Sequence, residues 1–364
     1  MASLKLENLR KVYNKTVIAV DNLSLEIPDG LIVSLLGPSG CGKTTTMRMI
    51  AGFEAADQGT ISINGKNITW LPPNKRNMSM VFQFPVVYTN FTIYENIATP
   101  LRNLKMKESQ IEEIIRTISP EFGIEESAWK EKAANLSISD RQRLSLAHAF
   151  SIDRNVYILD EPFSNIDPKA RVRLARYVRQ IQQVKKHTIV FVTHSQSEAL
   201  TLSDRIAVMK DGRILQYDTP ERIYTKPVST FVGWFLGNPG MNYIKCTARP
   251  RQGRCCLDAG SFLASEKVPA AYEAKISPER KVILGIRPEH ISVSRSPADG
   301  HIPARCLFSE PVGSRLLMNI ELASNVQINV KAPTEVKVAK GDQLYVGFPE
   351  EHLVLFDGGT EQAI

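Results

Sequence analysis

An α/β domain built on a parallel sheet, followed by a smaller all-β domain, is the fold class that the sequence predicts. Three observations carry it. A glycine-rich loop lies between a buried strand and a helix within residues 31–52. Apolar strands and helical segments then alternate, the pattern of a parallel sheet with flanking helices. Beyond Gly237-Asn-Pro-Gly240 the pattern changes to short alternating strands separated by turn residues, the mark of a small barrel or sandwich. The predicted division is residues 1–236 and 237–364, with a mostly helical segment over about 91–150.

The elements follow in order. Leu4, Leu6 and Leu9, then Val17 to Ile27, alternate with polar residues and read as antiparallel strands split by the turn Tyr13-Asn14-Lys15. Leu31–Leu36 is a buried strand, and Thr45–Ile50 a helix ending near Gly52. Asn155–Leu159 and Thr188–Val192 are further buried strands, a helix covers Ala170–Lys186, and another opens at Ser195. Ile206–Met209 and Ile214–Gln216 flank Asp211-Gly212, a hairpin signal. Thr219 caps a short helix with Pro220 at its first position. Tail strands are expected over Lys281–Ile286, Ile291–Val293, Ala304–Phe308, Leu316–Leu322, Val326–Val330 and Gln343–Gly347.

Composition narrows the class. The 364 residues are 43% hydrophobic and 23% charged, values that exclude disordered, collagen-like and rod-like chains. The five cysteines (Cys41, Cys246, Cys255, Cys256, Cys306) form no CxxC pair, which argues against a disulfide framework and for a reducing compartment. No stretch approaches the roughly 18 apolar residues of a membrane helix, and the start of the chain lacks the apolar run of a signal peptide. The net charge of +7 suits phosphate ligands, nucleic acid or a membrane-embedded partner. Its cations are scattered, however, with no basic groove interleaved with aromatics, so no nucleic-acid partner is expected.

The sharpest signal is Gly37-x-x-x-x-Gly42-Lys43-Thr44. Its glycines let backbone N–H groups curl around phosphate oxygens, and the following helix turns its positive end to the same anion. The nucleotide-binding candidates are Gly37, Pro38, Ser39, Gly40, Cys41, Gly42, Lys43, Thr44 and Thr45. Lys43 would reach the β- and γ-phosphates and Thr44 would ligate Mg²⁺. Asp160 and Glu161, at the end of a buried strand, supply a metal carboxylate and a general base. His194 follows the second buried strand and would meet the γ-phosphate at the same sheet edge. Tyr13 could stack on adenine, and the Gln83 amide could reach Mg²⁺ or the attacking water.

The order of these motifs, completed by Leu136-Ser137, Pro162 and Asn165-Ile-Asp167, resembles the ABC (ATP-binding cassette) ATPase family over about residues 4–235. Gly285-Ile-Arg-Pro-Glu-His-Ile291 and the junction from Phe231 to Asn242 are similar to the accessory domain of carbohydrate importers of the maltose or glycerol-phosphate type. Importers of polyamines, sulfate or iron carry similar tails. The resemblance implies a mixed sheet with a helical subdomain, then an OB-like tail that contacts a partner's tail. It further implies ATP and Mg²⁺ as cofactors and two cassettes sandwiching two nucleotides, the loop of one chain facing the signature of the other. Asp167 would be the D-loop acid. The segment from Gln83 to Glu95 would touch a coupling helix of one of two permease subunits, which a substrate-binding protein supplies. The protein would sit peripherally on the cytoplasmic face of a bacterial inner membrane and drive uptake of a sugar or polyol.

One departure stands out. Where the family has Leu-Ser-Gly-Gly-Gln, this chain has Leu136, Ser137, Ile138, Ser139 and Asp140. The glycines that allow close backbone approach are gone, and a carboxylate near a triphosphate is repulsive by about 1 kcal/mol when solvated. A pairing with a second, non-identical cassette is the resulting expectation. Two other classes fit the residues less well. A soluble ABC machine acting on nucleic acid would show fused cassettes or long coiled-coil insertions, which are absent. A non-hydrolysing sensor has no use for the retained Glu161 and His194.

Overall fold

The computed structural model describes residues 2–251, 254–260, 262–265 and 268–364. The chain divides into two compact units, Met1–Glu221 and Arg222–Ile364.

In the first unit the strands are β1 (Leu4–Tyr13), β2 (Val17–Ile27), β3 (Ile32–Leu36), β4 (Gln58–Ile63), β5 (Lys66–Asn67), β6 (Met78–Val81), β7 (Val156–Asp160), β8 (Thr188–Thr193), β9 (Arg205–Lys210) and β10 (Arg213–Asp218). Its helices are α1 (Lys43–Ala51), α2 (Ile93–Asn103), α3 (Glu108–Ile118), α4 (Ile138–Ser151), α5 (Pro168–Lys185) and α6 (Gln196–Leu202). Two sheets result, ordered β2-β1-β4-β5 and β10-β9-β3-β8-β7-β6. The first is antiparallel; the second is parallel except at its β9–β10 edge. Every residue of β3, β7 and β8 is buried, as expected of strands covered on both faces.

One core packs α1 between the sheets through Met47, Ile50, Leu35 and Leu25. A second joins the helices of residues 93–150 to the parallel sheet through Ile97, Ile115, Phe122, Leu144 and Phe191. Local chemistry sets the boundaries. Gly52 ends α1 in the left-handed conformation (φ 82°). Thr92 opens α2 with a reciprocal capping box: its hydroxyl accepts from the Glu95 amide (3.1 Å), while the Glu95 carboxylate accepts from the Thr92 amide (2.7 Å). Asp211 (φ 49°) and Gly212 (φ 76°) form the hairpin turn expected between β9 and β10.

The second unit carries helices α7 (Pro220–Thr225, which begins at the boundary) and α8 (Thr230–Phe235). Its strands are β11 (Asn242–Arg251), β12 (Arg254–Asp258), β13 (Leu263–Ser265), β14 (Lys281–Ile286), β15 (Ser292–Ser294), β16 (Ile302–Val312), β17 (Arg315–Glu321), β18 (Gln327–Pro333), β19 (Gln343–Gly347) and β20 (Val354–Asp357). They form two antiparallel five-stranded sheets, β13-β12-β11-β14-β20 and β15-β19-β16-β17-β18. A shared apolar core includes Ile244 and Leu284 from one sheet and Ile320 and Val330 from the other.

Seven strands escaped the sequence analysis outright: β4, β5, β6, β11, β12, β13 and β20. Met78-Ser-Met-Val81 has weak strand propensity and forms β6 because β7 offers a parallel edge. No helix among the described residues is long and apolar enough to cross a membrane.

Candidate active site at the carboxyl edge of the parallel sheet

Register brings the distant motifs together. β3 and β7 both flank β8, with Leu36 opposite Thr193 and Asp160 opposite Val192. The residues that follow these strands, Gly37, Glu161 and His194, therefore emerge at one edge of the sheet, where open α/β folds bind ligands.

The loop from Gly37 to Gly42 is shaped by backbone crowding. Gly42 has φ 100°, and a Cβ there would collide with the Ala19 carbonyl. The Cys41 carbonyl accepts from the Gly212 amide (3.1 Å), which pins the β9–β10 turn to the loop. Lys43 is 7% exposed, and its ammonium donates to the carbonyls of Gly37 (2.8 Å) and Pro38 (2.9 Å). Thr44 is exposed, Thr45 half-buried, and the first turn of α1 holds no acidic side chain, which leaves its positive end open to an anion. Ser39 and Gly40 are exposed, Pro38 is half-buried and Cys41 is buried.

Glu161 sits in the left-handed region (φ 43°), a strained conformation for a residue with a Cβ, fixed by its amide donating to the Val192 carbonyl (2.8 Å). Its carboxylate accepts from His194 Nδ1 (2.9 Å) and from Gln83 Nε2 (3.0 Å). Gln83 is held in turn by Asn165, whose amide donates to the Gln83 carbonyl (2.9 Å). His194 has a side chain 63% exposed, so its ring faces open space beside a carboxylate that is mostly covered.

Asp160 is 7% exposed, and burial first, then the neighbouring Glu161 charge, pushes its carboxyl up to about 6; Arg48 and Lys43 pull the other way. In the nucleotide-free protein this acid weakens the fold as pH rises. The folded state keeps a proton that the unfolded chain releases near 3.8, so stability falls through the window from about 4 to 6 and about 3 kcal/mol is lost above it. Asp160→Asn should therefore raise the melting temperature of the nucleotide-free protein at pH 7.5 by about 5 °C and give no gain at pH 4. Differential scanning fluorimetry measures this; an equal change at both pH values would refute the assignment.

Thr44, Asp160 and Gln83 offer a hydroxyl, a carboxylate and an amide oxygen. That is a hard oxygen donor set of the kind Mg²⁺ takes, and a cation would relieve the buried Asp160 charge. Tyr13, at the end of β1, is half-buried; its hydroxyl donates to Glu54 (3.1 Å), and Lys11 Nζ lies 5.4 Å from its ring centroid.

The signature segment opens α4. Ser137 is its N-cap and Asp140 lies in its first turn. Arg143 bridges Asp140 (3.6 Å) and Asp167 (2.7 Å), which caps α5 by accepting from the Ala170 amide (2.9 Å).

Sequence comparison places this geometry. A model described as ABC transporter matches residues 20–164, a MalK OB fold domain residues 237–291, and a TOBE domain residues 284–356. The oligosaccharides import ATP-binding protein MsmX of Bacillus subtilis is 35% identical over 368 residues, with all of both chains covered. The chain belongs to the ABC transporter ATP-binding protein family. The sulfoquinovosyl glycerol transport ATP-binding protein SmoE of Agrobacterium fabrum is likewise 35% identical over the full length of both chains. Among solved structures, the dimeric bacterial ABC transporter cassette MJ0796 matches at TM-score 0.56 and 25% identity, covering 60% of this chain and 98% of that one. The ABC cassette is thus a nucleotide-binding ATPase fold with an OB/TOBE tail, as the motif order led one to expect.

Sequence reasoning did not find three residues that this ABC cassette places around the site. Glu198 accepts from Thr193 (2.8 Å), and burial raises its carboxyl. Arg48 acts on Asp160 from α1. Glu54 holds Tyr13. None belongs to a spaced motif; the only signal was Glu198 in the first turn of the helix opening at Ser195.

Proposed function

We propose that this chain is the ATP-hydrolysing subunit of an importer that takes up a carbohydrate or polyol. The observation that carries the hydrolytic reading is Glu161, held between His194 (2.9 Å) and Gln83 (3.0 Å) at the sheet edge where the phosphate loop begins. Glu161 takes a proton from the attacking water as general base. Its two donors aim one carboxylate face, and the left-handed backbone fixes where that face points. His194 keeps a ring face toward the γ-phosphate and orients the water. Lys43 exchanges its two carbonyl partners for phosphate oxygens, while the loop amides and the α1 terminus bind the rest. Thr44, Asp160 and Gln83 would hold Mg²⁺, which would supply positive charge to offset that of the phosphates. Tyr13 stacks on the base. Tyr13→Ala should raise KM for ATP about tenfold, more than it lowers kcat, since one base–aromatic stack contributes about 1–3 kcal/mol.

The carbohydrate or polyol class rests on end-to-end similarity to two relatives named for oligosaccharide and sulfoquinovosyl glycerol transport. Importers of polyamines, sulfate or iron are the alternative. Two permease subunits are the partners, met through the segment from Gln83 to Glu95, where Phe84, Val86 and Tyr88 are exposed; a substrate-binding protein acts upstream. The protein then lies peripherally on the inner membrane's cytoplasmic face. The expected non-identical second cassette finds no support among the relatives. Its basis, the two missing glycines and the added charge of Asp140, does not outweigh that; Arg143 lies 3.6 Å from the Asp140 carboxylate. The reading therefore takes two copies of this chain.

The test is a deletion strain with solute uptake as readout. Loss of ATP-dependent sugar or polyol uptake, restored by the wild-type chain and not by Glu161→Gln, supports the reading. Loss of sulfate, iron or polyamine uptake alone would overturn the solute class.

A further inference from the structure

The altered signature does more than add charge. Ser137 has one hydroxyl proton to give. Its oxygen accepts from the Asp140 amide (3.1 Å), and its proton goes to Asp140 Oδ2 (2.7 Å). A carboxylate is a stronger acceptor than the neutral amide that the family pattern has at this position. The acid thus occupies both the serine proton and the electropositive first turn of α4, the two features with which this segment would meet a partner copy's γ-phosphate. Two further observations mark the contact as a replacement rather than a completed network. The Ser139 hydroxyl, where the pattern has glycine, is buried without a hydrogen-bond partner, and so is Arg143 Nε. Arg143 itself is divided between Asp140 (3.6 Å) and the D-loop acid Asp167 (2.7 Å), with its closer contact to Asp167.

The geometry points to Asp140 as a positioning residue that acts through Ser137: it is an internal competitor for the phosphate, so each nucleotide sandwich closes only at an ATP concentration that displaces it. The inference rests on the proposed pairing of one copy's signature with the other copy's nucleotide. Its consequence is a cassette whose ATP-driven closure has a built-in threshold. Removing the charge while keeping the side-chain shape should sensitise the protein rather than damage it, an outcome that a merely structural role for Asp140 would not produce.

The experiment uses the full chain carrying Glu161→Gln to suppress turnover and follows ATP-driven pairing by light scattering. Asp140→Asn and Asp140→Gln are expected to lower the ATP concentration for half-maximal pairing about tenfold, the size of one charge-assisted hydrogen bond. With Glu161 restored, both should lower KM for ATP and raise kcat. Ser137→Ala should cost about tenfold more in the Asp140→Asn background than alongside the native Asp140, because the freed hydroxyl is then what holds the phosphate. Pairing at the same or higher ATP in both Asp140 variants overturns the inference. In that case Ser137→Ala separates the two layers. If it alone weakens pairing, Ser137 reaches the phosphate despite Asp140, and the sandwich reading survives; if it changes nothing in either background, the sandwich reading falls as well.

Discussion

Replacing Glu161 with glutamine is expected to lower ATP turnover at saturating nucleotide by about a thousandfold while ATP still binds. The substitution keeps side-chain length, so the packing that makes this group only 17% exposed is retained. What it removes is the acceptor charge between His194 and Gln83. A neutral amide cannot take the proton of the attacking water, and its NH₂ group turns a donor toward one of two donors already present. Phosphate release measures kcat, and a fluorescent ATP analogue measures binding. Loss of binding in parallel with turnover would show that Glu161 supports the loop rather than the chemistry. Turnover within threefold of the wild type would remove the base assignment altogether.

Lys43→Ala is expected to give the second large effect, a fall of about a hundredfold in kcat/KM carried mostly by weaker nucleotide binding. The ammonium is buried and already satisfied by Gly37 and Pro38, so its exchange onto phosphate oxygens happens without a new desolvation cost. Loss of a charge-assisted contact of this kind is worth about 1.5–3 kcal/mol, or roughly ten- to a hundredfold in affinity. Lys43→Arg should not restore activity, because a planar guanidinium does not fit where an unbranched stem threads between two carbonyls. Lys43→Met keeps the stem and separates packing from charge. Calorimetric titration with ATP reads the affinity; a variant that binds ATP like the wild type would place Lys43 outside the site.

Much of the site was legible because its chemistry is local in sequence. The loop from Gly37 to Gly42 leads straight into α1, and its first and last glycines answer to backbone crowding, as the Ala19 carbonyl beside Gly42 illustrates. Asp160-Glu161 and His194 were legible because each ends a run of wholly buried residues, which marks the end of an interior strand. Less was legible where a residue acts through partners remote in sequence. Glu54 reaches Tyr13 across 41 positions, and Arg143 reaches Asp167 across 24. Neither link has a spacing rule, because the contact depends on where two elements happen to pack.

Taken alone, the order of residues determined the glycine-rich loop, the acid pair, the histidine, the change to short strands in the tail and the departure at Ser137 to Asp140, since each is a matter of side-chain type and short-range backbone conformation. Only the tertiary structure decided that β8 lies between β3 and β7, that Glu161 accepts from both His194 and Gln83, and that Asp140 is answered by Ser137 and Arg143. Strand order and side-chain partnership are set by which apolar faces bury one another across long stretches of chain, and that competition leaves no periodic trace in the residues that end up touching.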